Sequence, residues 1–130
     1  MAVTIKIPLV EMAKNQATGK LEYQRREILV RVNTSVLANY KWERTFQAEK
    51  DYDLVHAVGL TQINLKNLQK NPKIGTALIQ SLEVVYCFIE SPELPTFVDF
   101  LNGITEENLG DVLDKIGAII EEVNSVSGKN

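Results

Sequence analysis

Apolar and polar residues alternate at the start of the chain, from Val3 to Leu9. This period of two predicts a half-buried β-strand. Pro8 has no N–H to donate to a neighbouring strand, so the strand is expected to lie at a sheet edge or to end there. The polar segment Lys14–Lys20 contains Gly19 and predicts a loop that joins two strands.

A second alternating segment follows the loop, but its apolar positions change parity. Leu21 and Tyr23 are odd-numbered, whereas the apolar residues from Ile28 to Val32 are even-numbered. Because alternate side chains point to opposite faces of a sheet, the change predicts a bulge or a break around Arg25-Arg26. The first strand is expected to leave an open edge that another chain can pair with.

The side chains of Asn33-Thr34-Ser35 can cap a helix, which is predicted to span about Ser35–Gln47. At 100° per residue this helix has two apolar sides. Such a helix is either sandwiched inside the core or keeps one side for a partner. The first side carries Val36, Leu37 and Tyr40, and the second carries Ala38, Trp42 and Phe46.

The middle of the chain is patterned unevenly. Asp51 is expected to cap a short helix that ends at Gly59. Residues 60–72 are rich in Asn and predict either an irregular connection or a frayed helix. From Ile74 to Ile89 the apolar residues cover roughly 220° of a helical wheel, which indicates a helix buried on most sides at the centre of the fold. Its remaining strip is polar and holds Thr76, Gln80, Glu83 and Cys87.

Two further helices are predicted after the Pro-containing break at residues 91–95. Thr96 can cap a short helix, Phe97–Asn102, and Gly103 is expected to end it in the left-handed conformation. Thr105 can cap the last helix, whose apolar residues fall within about 120° of arc. These residues are Leu109, Val112, Leu113, Ile116, Ile119, Ile120 and Val123.

The order of these elements predicts an α+β fold in one domain, residues 1–130. A small N-terminal antiparallel β-hairpin or sheet, residues 1–33, precedes a four- to five-helix bundle-like segment, residues 34–126. Residues 127–130 are interpreted as a frayed tail. Neither a membrane span nor a signal peptide is visible in the sequence, so the protein is expected in the cytoplasm.

Charge is divided unequally along the chain. Residues 1–50 hold nine Lys or Arg and five Asp or Glu, a net of +4, and residues 51–130 hold five and twelve, a net of −7. This division is either chance or an indication of head-to-tail self-association, in which the basic part of one copy meets the acidic part of another. The basic residues form no dense stripe with interleaved aromatic residues, so nucleic acid is not an expected partner.

Candidate chemistry is sparse. His56 is the only histidine and Cys87 the only cysteine, and no nucleophile motif accompanies either. The carboxylates are spread over helix surfaces, and the glycines form no phosphate-binding motif. We therefore expect no enzyme, no catalytic or cofactor-binding residues, no metal site and no cofactor. A small enzyme that uses His56 or a carboxylate pair is the alternative.

Several segments together resemble the tail assembly chaperones of long-tailed bacteriophages and prophages. They are a strand running into LVRVNTSVLANYKWER, the apolar helix ALIQSLEVVYCFIE, and TFVDFLNGITEENLGDVLDKIGAIIEEV. The resemblance covers roughly residues 21–126. It implies a non-catalytic protein of the host bacterial cytoplasm, absent from the mature virion. Such a protein binds the tape measure protein, assists assembly of the tail tube protein around it, and often self-associates.

On this interpretation, aromatic side chains are the expected partner-binding anchors, because aromatic residues often dominate interface energies. The candidates are Trp42, Phe46, Phe97 and Phe100. Two other functions stay open: a structural tail or connector component that is retained in the virion, and a general protein-binding module. No membrane partner is expected.

Overall fold

The structure, a computed structural model, describes residues 3–127 and has an antiparallel sheet followed by five α-helices, which confirms the α+β fold. Ser127 still belongs to the last helix, so the predicted tail begins too early, and residues 128–130 lie outside the described part. The strands are β1 (Thr4–Lys14), β2 (Leu21–Val32) and β3 (Ile89–Glu90). The helices are α1 (Val36–Thr45), α2 (Leu54–Lys70), α3 (Thr76–Phe88), α4 (Phe97–Asn102) and α5 (Leu109–Ser127), with a 3-10 turn at Gln47–Glu49.

The hairpin of β1 and β2 keeps one register over its whole length, from Thr4 opposite Arg31 to Lys14 opposite Leu21. The predicted bulge at Arg25-Arg26 is therefore wrong. The parity of the apolar residues changes because the hairpin extends past the core. Near the core, β2 buries its even-numbered residues. Beyond the core, Leu21 and Tyr23 lie on the opposite face and are exposed.

The sheet order is β1-β2-β3, so β1 is an edge strand, as Pro8 predicts. Its edge is covered in the middle. The N–H of Val10 points outward and donates to the carbonyl oxygen of Gly103 at 2.8 Å. Two residues earlier, the missing N–H of Pro8 costs no sheet bond, and its carbonyl oxygen accepts a hydrogen bond from Nδ2 of Asn108 at 2.8 Å.

Gly103 has φ −83°, so the predicted left-handed conformation is wrong. A glycine is found here because the position has no room for a side chain. A Cβ at this position would lie 3.0 Å from the Cβ of Leu9, closer than packed carbon atoms normally approach. The absence of a side chain therefore allows the loop after α4 to reach β1.

Asn108 is a fully buried polar residue at the start of α5. Its Oδ1 accepts from the N–H of Thr105 at 2.7 Å, and its Nδ2 donates to the carbonyl oxygen of Gly103 at 2.8 Å as well as to Pro8. The hydroxyl of Thr105 accepts in turn from the N–H of Glu107 at 3.2 Å. Thr105 thus caps the turn of residues 106–108 that precedes α5, and not the first turn of α5 as predicted. Asn108 ties this turn to β1.

α3 is the most deeply buried helix and packs against α1, α2 and α5. Its predicted polar strip, however, faces solvent only at Thr76 in the first turn, and Gln80, Glu83 and Cys87 are buried. Nδ2 of Asn64 donates to Oε1 of Gln80 at 3.0 Å, and Lys50 forms a 2.9 Å ion pair with Glu83. These partners satisfy polar groups that would otherwise be costly to bury.

α2 begins later and runs much further than predicted. Its cap is Asp53, not Asp51: the side chain of Asp53 accepts from the N–H of His56 at 3.0 Å. The helix continues through Gly59 to Lys70, so the expected stop and irregular connection are wrong. A glycine in a helix costs only about 1 kcal/mol. Buried side chains on α2, including Thr61, Leu65 and Leu68, offset that cost.

The apolar stripe of α5 is confirmed, because all seven predicted residues are buried. For α1 the structure excludes the sandwiched alternative, because one of its two apolar sides is exposed. Its Ala38, Trp42 and Phe46 side is in the core, whereas Val36 and Tyr40 are 80% and 55% exposed. The helix is not sandwiched, because α3 covers one side only and no described element covers the other.

Candidate protein-binding groove

All four predicted anchors lie in one aromatic cluster that joins α1, α3 and α4. The ring of Phe46 contacts those of Trp42 and Phe97 at centroid distances of 5.6 and 4.9 Å. Tyr86 on α3 completes the cluster, at 5.3 Å from Phe97 and 5.6 Å from Phe100. The edge-on and tilted ring arrangements are favourable aromatic contacts.

The burial of these aromatic side chains determines whether a partner can contact them. Trp42, Phe46 and Phe100 are buried, and Phe97 is half-buried. Three of the four side chains therefore hold the helices together and are not exposed for a partner to contact. Only the open part of Phe97 is accessible. The error has a physical cause: both sides of α1 are apolar, and the anchors were placed on the side that faces the core.

Cys87 is buried, and burial raises the pKa of its thiol to about 12 even though the nearby Lys41 favours the thiolate. The thiol is therefore protonated at neutral pH and is a poor nucleophile. Lys41 has another partner, since its Nζ donates to the carbonyl oxygen of Ile89 at 2.7 Å. It stabilises the exposed carbonyls at the end of α3.

His56 is exposed on the first turn of α2 and stacks on Tyr52, with 5.2 Å between ring centroids. Within residues 3–127 no three His, Cys, Asp or Glu side chains are grouped so that they could hold a metal ion. None of the described helices is long and apolar enough to cross a membrane.

A groove of about 420 Å³ lies where the first turns of α1 and α2 meet the end of α5. We call it the α1–α2–α5 groove. Its floor includes the buried side chains of Leu54, Phe88 and Val123, and Val55 stands at its side with 78% of its surface exposed. The lining residues are Thr34, Ser35, Ala38, Asn39, Leu54, Val55, Val58, Gly59, Gln62, Phe88, Val123, Asn124 and Val126.

None of these lining residues is charged, although charged residues make up 24% of the chain. Neutral polar groups form the rim, where Gln62 of α2 hydrogen-bonds to Asn124 of α5. Gly59 leaves open space, because nothing lies within 4 Å of where its Cβ would be. The groove is therefore an uncharged, largely apolar concave surface with hydrogen-bonding groups at its edge, which are features of protein-binding and ligand-binding sites.

Sequence reasoning missed this groove. The short helix predicted to end at Gly59 contains Val55 and Val58, but the other walls come from residues 34–39, Phe88 and residues 123–126. The one sequence signal is Gly59, a glycine inside a helix that it does not end, since such a glycine often has a packing or functional reason.

Comparison with known proteins gives no match: no protein-family model, no curated protein and no solved structure is significantly similar to this chain.

Proposed function

We propose that this protein is a non-catalytic tail assembly chaperone that binds the tape measure protein of a long-tailed phage or prophage and assists assembly of the tail tube protein around it. The resemblance of residues 21–126 supports the choice of partner. The observation that carries the binding role is the uncharged α1–α2–α5 groove, with its exposed Val55.

The groove fits one face of an amphipathic helix. A helix of this kind presents apolar side chains at spacings of three and four residues, and such a stripe binds in an apolar groove between helices. The rim residues Ser35, Asn39 and Gln62 can hydrogen-bond to polar side chains that flank the stripe. Covering the stripe keeps it from aggregating before the tail tube encloses it.

The first test is co-expression with the tape measure protein of the same genome, followed by pull-down and measurement of the soluble fraction. We expect the tape measure protein to be soluble and to co-purify only when this chain is present. If it aggregates regardless and no complex forms, the chaperone function is wrong.

Two variants of α2 locate the binding site. Val55→Glu places a carboxylate at the groove and is expected to weaken binding about tenfold or more, because burying an unpaired charge is costly. Ile63→Glu is the matched control, since Ile63 is also exposed on α2 but does not line the groove. Equal binding by the two variants would show that the partner uses another surface.

The proposal also places the protein in the host cytoplasm and not in the finished particle. Mass spectrometry of purified virions checks this point. A structural tail component would be found there in fixed proportion to the tail tube protein, and a chaperone would not.

A further inference from the structure

The outer part of the hairpin forms an arm that extends beyond the core. It comprises the four pairs from Glu11–Gln24 to Lys14–Leu21, and most of its residues are exposed on both faces. One face is apolar, since Met12, Leu21 and Tyr23 share it with exposures of 52, 68 and 63%. A two-stranded ribbon is only marginally stable in water, so the arm gains from contact with another surface.

The tip of the arm is ordered and basic. Oδ1 of Asn15 accepts from the N–H of Ala17 at 2.8 Å, and Gly19 takes a φ of 72°, which glycine adopts without strain. Lys14 and Lys20 flank this turn with exposed side chains, and neither forms an ion pair within the described chain. The tip thus presents two ammonium groups outside ion pairs, together with the carboxylate of Glu22, which accepts a hydrogen bond from Nδ2 of Asn15.

At the base of the arm, a cleft of about 470 Å³ runs along the edge of β1 beside α4. We call it the β1-edge cleft. Three carboxylates line it, those of Glu11, Glu93 and Asp99, against one guanidinium, that of Arg26, so its formal charge is −2. Arg26 lies 3.7 Å from Glu11 and 3.9 Å from Glu93, longer than a hydrogen bond, and Asp99 forms no ion pair among residues 3–127.

The strand edge inside this cleft is only partly occupied. Gly103 and Asn108 bond to Val10 and Pro8, and the next outward-facing backbone groups belong to Met12. An extended segment can therefore pair with β1 just beyond Gly103 and lie against the apolar side chain of Met12. The segment that suits the cleft is extended and carries positive charge.

We propose that the β1-edge cleft receives the hairpin arm of a second copy, whose Lys14 and Lys20 pair with Glu93 and Asp99. The tip of the arm and the carboxylates of Glu93 and Asp99 are different parts of one chain, so the contact is heterologous and continues from copy to copy into a ring or a filament. Glu11, Met12 and Tyr23 belong both to the base of the arm and to the lining of the cleft. This inference is independent of the tape measure protein and goes beyond the proposed function, because it requires this chain alone.

Sedimentation velocity of the purified protein tests the proposal over a range of concentrations and salt. We expect concentration-dependent association that weakens as salt rises, because exposed ion pairs are screened. Two variants are central, Lys14→Glu/Lys20→Glu at the tip and Glu93→Lys/Asp99→Lys in the cleft. Each alone should weaken association about tenfold or more, through like-charge repulsion. Mixing the two variants should restore it, because opposite charges then meet again.

The control is Lys66→Glu/Lys70→Glu, which makes the same charge change on the exposed surface of α2, away from both surfaces. Circular dichroism checks that every variant is folded. A protein that is monomeric at all concentrations overturns the proposal. So does association that the tip variant leaves intact, or a mixture of tip and cleft variants that fails to associate.

Discussion

At the scale of single residues, the side-chain amide of Asn108 hydrogen-bonds to three other residues, a role that no sequence signal indicated. Its one oxygen and its two donor hydrogens are all used, on Thr105, Gly103 and Pro8, and the side chain is fully buried. A buried group with every hydrogen bond made is inexpensive, but its removal leaves partners unsatisfied in the interior.

Replacing Asn108 should therefore be costly. We expect Asn108→Ala to lower the free energy of unfolding by about 2–4 kcal/mol, because the carbonyl of Pro8 loses its donor, that of Gly103 loses one of two donors, and Thr105 loses its acceptor. Urea denaturation at neutral pH measures the change. Asn102→Ala is the control, since Asn102 is exposed at the end of α4, and its effect should stay within about 0.5 kcal/mol. Similar losses from both variants would contradict the role of Asn108.

The residues that sequence predicted well act on near neighbours. Thr96 caps α4, and Thr105 caps the turn of residues 106–108 just before α5; each bonds to an N–H group only two or three positions away. Asn108 and Gly103 were missed or misread because their partners are on β1, about a hundred positions away. Nothing in the local pattern marks a side chain or a glycine for such a distant contact.

At the scale of elements, α1 and α5 show when the hydrophobic periodicity is sufficient to identify the buried face of a helix. The stripe on α5 is single and narrow, so only one face could be buried. α1 has two apolar sides of similar width, and the choice between them depends on how it packs against α3, which no local pattern records. The pattern left the second half of α2 open between an irregular connection and a frayed helix for a related reason. Its buried positions include Thr61, a polar residue whose hydroxyl donates to the carbonyl oxygen of Ala57 at 2.9 Å.

Alanine substitutions on the two sides of α1 should lower the free energy of unfolding by very different amounts. Trp42→Ala is expected to lower the free energy of unfolding by about 3–5 kcal/mol, because it opens a cavity in the aromatic cluster. Tyr40→Ala removes an exposed ring and should cost less than about 1 kcal/mol. Thermal or urea denaturation gives both values.

Trp42 is the only tryptophan, so its fluorescence provides an independent check. A buried indole is shielded from acrylamide in the native protein and becomes accessible on unfolding. Strong quenching in the native state, or equal losses of stability for the two variants, would show that α1 presents its other side to the core.

At the scale of the whole molecule, ion pairs account for part of the unequal charge along the chain. Arg25, Arg26, Arg31 and Lys50 belong to the basic part, and they pair with Asp111, Glu93, Glu90 and Glu83 of the acidic part. Exposed pairs of this kind contribute little stability, and only Lys50–Glu83 is largely buried. Part of the unequal charge is therefore used in ion pairs within one copy. Lys14 and Lys20 at the tip are among the basic residues that take no part in these ion pairs.

Loss of protons from buried or paired groups should make the fold less stable in alkaline solution. Folding raises the pKa of Cys87 from 9.0 to about 12 through burial, and it also raises the pKa of Tyr86 through burial and that of Lys50 through its bond to Glu83. A raised pKa means that the folded protein holds the proton more tightly, so stability is full below the unfolded value and falls as pH rises through the folded value. The contribution of Lys41 to the pH dependence of stability has the opposite sign, because burial lowers the pKa of its ammonium group.

We therefore expect the free energy of unfolding to fall as pH rises above about 9, the ordinary value for a thiol. Cys87→Ala should make this fall shallower between pH 9 and 12, because the variant has no thiol to ionise on unfolding. Urea denaturation across this range gives the free energy of unfolding of each protein as a function of pH. The slope of that curve is unaffected if the substitution lowers the stability by the same amount at every pH. Identical slopes would show that Cys87 is not buried in solution.

The bond between Asn108 and Pro8 also has a consequence for the order in which the chain folds during synthesis. The two residues are 100 positions apart, so β1 is made long before the segment that covers its edge. Contacts of such high sequence separation form late, since a long loop must close before they contribute. A nascent chain without α5 would carry its hairpin with the core face open. Complete folding must therefore wait until α5 has been synthesised, and a product truncated before α5 should be prone to aggregation.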